Sequence, residues 1–181
     1  VSLDQLIKGC KRNDTQAQSQ LYKLYASKLF SVCLKYSRNY VEAEDNLQDA
    51  YLTIFKKIGQ FKSQGSLEGW MKRITINTAL QRYRSAGVFD IINEDQIEDV
   101  TVNVDDDDDM SIDYLLIIIQ ELPDRYRLVF NLYALDDYSH KEIAALLNIS
   151  TGTSKSNLAR ARMILKEKIK QYKASPNSQS I

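Results

Sequence analysis

"YSHKEIAALLNISTGTSKSNLARARMILK", Tyr138 to Lys166, decides how the rest of the chain is read. Ser139 and Glu142 form the S-x-x-E pattern in which hydroxyl and carboxylate satisfy backbone N–H groups at a helix start. The apolar "IAALL" follows directly. Asn148 then stands where a tight turn between two helices needs a left-handed backbone, a place Gly fills most often and Asn next. Ile149 plugs the corner, and Ser150 or Thr151 caps the second helix. Within that helix Ser154, Leu158, Ala161 and Leu165 face inward, leaving Thr153, Lys155, Ser156, Asn157 and Arg160 outward. A helix–turn–helix sets the first residues of its second helix against base edges while basic neighbours hold phosphates. A helical hairpin without any DNA role shares the pattern, but the capping box, the Asn turn and the basic second helix together favour DNA binding.

A DNA-binding reading meets an obstacle in the charge, because 24 Lys+Arg are matched by 24 Asp+Glu. The balance hides three unlike parts. Residues 1–85 carry 14 basic and 7 acidic residues, net +7. Residues 86–120 carry no basic and 11 acidic residues, net −11, and residues 121–181 carry 10 and 6, net +4. The acidic part holds "VDDDDDMSID", and a block of like charges repels itself and resists packing. Two basic helical modules flanking a flexible acidic linker are expected, with segment 1–85, linker 86–111, segment 112–175 and a disordered tail over 176–181.

Six glycines and two prolines in 181 residues favour an all-α fold. No apolar run is long enough to span a membrane; "LLIII" at 115–119 reads as one buried helix face. The first residues lack the basic-then-apolar pattern of an export signal, so a cytoplasmic protein with Cys10 and Cys33 as buried reduced thiols is expected. One histidine and two cysteines do not make a structural zinc site. The aspartate run is not a calcium loop either: counted from Asp105, its sixth residue is Met110 and its twelfth Leu116. His140 has no evident acid or nucleophile partner. No catalytic residue, metal or cofactor is expected.

Helical patterns fill the first module. Residues 15–36 place Leu21, Leu24, Tyr25, Leu29, Val32 and Cys33 at helical spacing. Residues 41–58 set Ala43, Leu47, Ala50, Tyr51, Ile54, Phe55 and Ile58 on one stripe, with Glu42, Glu44, Asp45, Gln48, Asp49 and Lys56 off it. Acidic residues at a helix start match the helix dipole, which by itself accounts for them. After the polar loop "GQFKSQGSLEGW", a third helix puts Arg73, Asn77, Gln81 and Arg84 on one face, spaced 4, 4 and 3, beside the aromatic Trp70 and Tyr83. These are side chains that pair bidentately with bases and hold phosphates, and residues 69–85 include no acidic one. An ordinary polar face with Trp70 in the core fits the same residues. In the second module Pro123 opens a helix with Tyr126, Val129, Phe130 and Tyr133 on its apolar side.

"AEDNLQDAYLTIFKKI" (43–58), "FKSQGSLEGWM" (61–71) and "RITINTALQRYR" (73–84) resemble region 2 of bacterial RNA polymerase sigma factors of the extracytoplasmic-function type. "LPDRYRLVFNLYALDDYSHKEIAALLNISTGTSKSNLARARMIL" (122–165) resembles their region 4. The segments follow the family's order over most of the chain. The resemblance implies that Asp45, Gln48 and Asp49 meet the clamp coiled coil of core RNA polymerase. It implies that Lys62, Ser63, Gln64, Gly65 and Ser66 capture an unpaired base of the promoter −10 element. Arg73, Asn77, Gln81 and Arg84 would engage the adjoining −10 DNA. Thr153, Lys155, Ser156, Asn157, Arg160 and Arg162 would read the −35 element, and an anti-sigma factor is a further partner. Two positions depart from the family pattern. Ser154 stands where Val is common, weakening a core contact, and Asn157 stands where Arg is frequent.

Two other readings are a stand-alone DNA-binding regulator and a metal-dependent nuclease using Asp105–Asp109. The first needs tight duplex binding without polymerase, usually as a dimer on paired half-sites. The second fails physically, because five consecutive aspartates in a flexible segment do not make a preorganised site.

Overall fold

The computed structural model describes residues 1–89 and 110–175. The run Asp105–Asp109 and the expected tail 176–181 lie outside the described residues, as does most of the expected linker. The fold is all-α. Eight α-helices run in order: α1 Leu3–Lys11, α2 Thr15–Tyr36, α3 Tyr40–Lys57, α4 Leu67–Ser85, α5 Ile112–Gln120, α6 Asp124–Phe130, α7 His140–Leu147 and α8 Thr151–Ala174. A short 3₁₀ turn, Ile58–Gln60, follows α3, and a π-helical turn, Asn131–Leu135, follows α6. The chain divides into two compact units, Val1–Arg82 and Tyr83–Ile181.

In the first unit polar side chains start the helices and apolar stripes join them. Ser2 and Gln5 form a reciprocal capping box on α1, while Asp14 caps α2 and Asn39 caps α3. Leu6, Ile7 and Cys10 of α1, Leu21, Leu29 and Cys33 of α2, Leu47, Tyr51 and Ile54 of α3, and Leu67 and Met71 of α4 form one core. Each such apolar side chain contributes about 1.5–3 kcal/mol when fully buried. Cys10 and Cys33 are buried free thiols, and burial pushes Cys33 up to about 12. Leu24, expected on the inner face of α2, is instead 58% exposed. The α2–α3 contact covers only part of that helix's apolar arc.

The second unit is built on α8. Ile118 and Leu122 pack against Ala161, Leu165 and Ile169, Tyr114 lies on Tyr172 at 4.2 Å, and Lys168 pairs with Glu121 at 2.6 Å. The run at 115–119 is less buried than its composition suggests, since Ile118 is enclosed and Ile117 is half exposed. Arg127 is fully enclosed in the last turn of α6. It pairs with Asp124 at 2.6 Å and donates to the Leu122 carbonyl at 2.9 Å, so the buried charge is balanced within its own turn.

Candidate functional site

The helix–turn–helix forms as its sequence dictates. Ser139 Oγ accepts from the Glu142 N–H at 3.2 Å, and the Glu142 carboxylate accepts from the Ser139 N–H at 2.8 Å. Asn148 sits at φ 54°, ψ 49°, the left-handed conformation the turn demands. Ser150 caps α8 by accepting from the Thr153 N–H at 3.0 Å and donates to the Thr153 hydroxyl at 2.9 Å. Lys155 is exposed, while Thr153, Ser156, Arg160 and Arg162 are half-buried. The Arg162 guanidinium lies over the Tyr133 ring, 5.8 Å from its centre.

Three sequence expectations change here. Asn157 is fully buried rather than outward, and neither atom of its amide meets a hydrogen-bond partner. The covered arc of α8 is wider than the stripe from Ser154 to Leu165, taking in Asn157 on one side and Ala159 on the other. Ser154 is more than a weakened core contact: its buried hydroxyl lies 2.8 Å from His140 Nδ1. His140 therefore has partners after all, since its ring also stacks on Tyr133 at 4.4 Å. Together these contacts tie the first residues of α8 to the start of α7.

On the first unit, Asp45, Gln48 and Asp49 stand exposed on α3. Asp45 and Gln48 line a groove between α2 and α3 of about 920 Å³, whose apolar walls include Tyr22, Phe30, Tyr40 and Leu52. Leu52 is 70% exposed and Tyr40 59%. Sequence reasoning missed both. Leu52 carried the signal, because it lies off the buried stripe, four residues after Gln48 and seven after Asp45, on the face of the acidic group.

Lys62, Ser63, Gln64, Gly65 and Ser66 form an exposed loop with two left-handed residues, Ser63 at φ 57° and Gly65 at φ 98°. Ser66 closes it by accepting from the Gly69 N–H at 3.0 Å. Ser63, Gly65 and Ser66 border a cavity of about 290 Å³, with Leu3, Asp4 and Ile7 of α1 on its other side and Tyr25 and Phe61 among its walls. Arg73, Asn77 and Gln81 are exposed along α4, as their spacing predicts. Arg84, which falls in the second unit, is half-buried and donates to the Leu146 carbonyl at 2.8 Å. Tyr83, expected beside the polar stripe, is buried.

Comparison with known proteins decides the family. The sequence model of sigma-70 region 2 matches residues 21–88, and that of sigma-70 region 4 matches residues 112–165. The chain is also 28% identical over 182 residues to the ECF RNA polymerase sigma factor SigW of Bacillus subtilis, an alignment covering 91% of this chain and 95% of that one. The chain belongs to the extracytoplasmic-function sigma factors.

Other sigma factors align over similar lengths. The RNA polymerase sigma-H factor of Pseudomonas aeruginosa is 25% identical, over 87% of this chain and 89% of that one. Among solved structures, the sigma factor RpoE of Bartonella quintana, co-crystallised with the anti-sigma factor NepR, shares the fold. Its TM-score is 0.54 at 24% identity, over 84% of this chain and 96% of that one. No helix of this sigma factor is long and apolar enough to cross a membrane, among the described residues.

Proposed function

We propose that this sigma factor is an alternative transcription initiation factor that binds core RNA polymerase in the cytoplasm and directs it to promoters through their −10 and −35 elements. The observation that carries the reading is the exposed face of α3, where Asp45, Gln48 and Leu52 meet an open, partly apolar groove. A solvated helix start explains the carboxylates alone. It does not explain exposed Leu52 and Tyr40 beside them, and an apolar patch rimmed by charge is the signature of a protein contact.

The proposed DNA contacts use the other exposed and half-buried polar groups. The Lys62–Ser66 loop captures an unpaired −10 base, and Arg73, Asn77 and Gln81 hold the adjoining DNA, with Arg84 at the end of the same stripe. Unstacking a base costs a few kcal/mol, which a fitted pocket offsets. Thr153, Lys155, Ser156, Arg160 and Arg162 face the −35 element; Asn157, enclosed within the unit, belongs to helix packing.

A chain of zero net charge can still hold a polyanion by this route. Non-specific phosphate binding by a few Lys and Arg gives about 10⁻⁴–10⁻⁶ M. Mounting both units on one large partner raises the effective concentration of each short contact. The polymerase is that partner, and an anti-sigma factor competing for the same surfaces is the regulator the reading adds. Asp105–Asp109 join the two DNA-binding parts as a tether or, in a basic channel of the enzyme, as a mimic of RNA.

Titration into bacterial core RNA polymerase tests the reading, by co-elution and fluorescence anisotropy with and without DNA. Stoichiometric binding without DNA is expected, weakened at least ten-fold by the pair Asp45→Lys and Asp49→Lys, because like charges across a contact cost several kcal/mol. No core binding, with tight sequence-specific duplex binding by the protein alone, establishes a stand-alone regulator instead.

A further inference from the structure

The cavity beside the Lys62–Ser66 loop is walled on one side by a helix that precedes the residues matched by the region 2 model. Region 2 similarity begins at residue 21, whereas Leu3, Asp4 and Ile7 belong to α1. That helix is fixed in place. Its start is locked by the Ser2–Gln5 capping box, Leu6, Ile7 and Cys10 are buried in the core, and Lys11 Nζ donates to the Phe61 carbonyl at 3.0 Å, at the entrance to the loop.

The chemistry of the walls is uneven. Leu3, Ile7, Tyr25, Phe61 and Leu67 offer apolar and aromatic surface on which a flat ring can stack. The charged groups of the lining are Asp4 and Glu68, and Glu68 is engaged, accepting from Lys28 Nζ at 2.7 Å. A carboxylate only accepts hydrogen bonds. Adenine, cytosine and guanine each carry an exocyclic amino group that can donate to it, whereas the one ring donor of an unpaired thymine, N3–H, lies between two carbonyls that repel a carboxylate.

We propose that Asp4 is a specificity-determining residue of the base pocket, favouring an unpaired base with an exocyclic amino group and disfavouring thymine. The proposal rests on the reading of the loop as a base-capture site and adds to it a selector that lies ahead of the residues matched by the region 2 model. Promoter preference at that position then belongs to α1, ahead of the segment that the region 2 model matches.

The test uses the chain reconstituted with core polymerase and a fork-junction DNA whose unpaired −10 stretch is randomised. Bound and unbound pools are sequenced for the natural chain, for Asp4→Asn and for Gly65→Val. The carboxamide of Asp4→Asn both donates and accepts, so it tolerates thymine; Gly65→Val strains the loop at φ 98°. The natural chain is expected to deplete thymine roughly ten-fold at one unpaired position. Asp4→Asn should remove that depletion there and nowhere else, whereas a general folding defect would flatten every position. If Gly65→Val abolishes the preference and Asp4→Asn does not, base capture stands and the role of Asp4 is overturned. If the natural chain shows no preference at any unpaired position, or neither variant alters one, base capture and the selector both fall.

Discussion

The two units solve the same problem, a small helical fold that must also present polar groups, in opposite ways. The first keeps its polar machinery outside. Asp45, Gln48, the loop and the polar residues Arg73, Asn77 and Gln81 are exposed, and its buried polar groups are hydrogen-bonded. Ser37 donates to the Cys33 carbonyl at 2.6 Å, Asn46 to Ser37 at 2.8 Å, and Thr75 to the Met71 carbonyl at 3.0 Å. The second builds polar groups into its interior: Arg127, Asn131, Ser154 and Asn157 are all enclosed. An apolar core tolerates change on its outer faces, whereas a polar interior makes helix placement depend on a few directed contacts.

The sharpest way to break this comparison is to probe the dryness of the first core. Cys33, raised to about 12 by burial, presents about a thousand-fold less thiolate at neutral pH than an ordinary thiol near 8.5. Alkylation of Cys33 in the native protein should therefore be slower than in urea by at least that factor, and should quicken as pH rises toward 12. Rapid native labelling near neutral pH would mean the core opens readily.

Next in size is Arg127→Ala, which leaves Asp124 and the Leu122 carbonyl without their enclosed donor. It should cost about 3–5 kcal/mol in urea denaturation. A cost under about 1 kcal/mol would show that the buried charge is incidental. Smaller again is Asn148→Val, placing a β-branched residue at φ 54°; about 1–2 kcal/mol of lost stability is expected, with Asn148→Gly close to neutral. The smallest effect should have the opposite sign. Asn157→Leu removes a buried amide with no partner and should leave stability unchanged or raise it by about 1 kcal/mol. Binding to −35 DNA should persist; its loss would return Asn157 to the recognition surface.

Much of this was legible in the sequence, and the boundary is physical. Contacts made within a few residues could be read directly: the Ser139–Glu142 box, the Asn148 turn, the Ser150 cap, and the α3 stripe from Ala43 to Ile58. Contacts between distant residues could not. Nothing local announces that Lys11 reaches Phe61, that Lys28 meets Glu68, or that Ser154 meets His140 across the turn. The width of a buried arc is also a tertiary property, set by how many neighbours flank a helix. That is why Asn157 was misplaced outward and Leu24 inward.

Helix α8 carries a mechanical consequence. Its 24 residues form one uninterrupted rod of about 36 Å, with the residues proposed to face DNA at one end and Leu165 and Ile169 seated in the core toward the other. A rotation of roughly 10° about Leu165 swings Lys155, about 15 Å away along the axis, through between 2 and 3 Å, most of the rise of one base-pair step. The placement of the proposed recognition residues at one end is therefore calibrated by the fit of aliphatic side chains at the other. A methyl group lost at Ile169 acts as a change of aim.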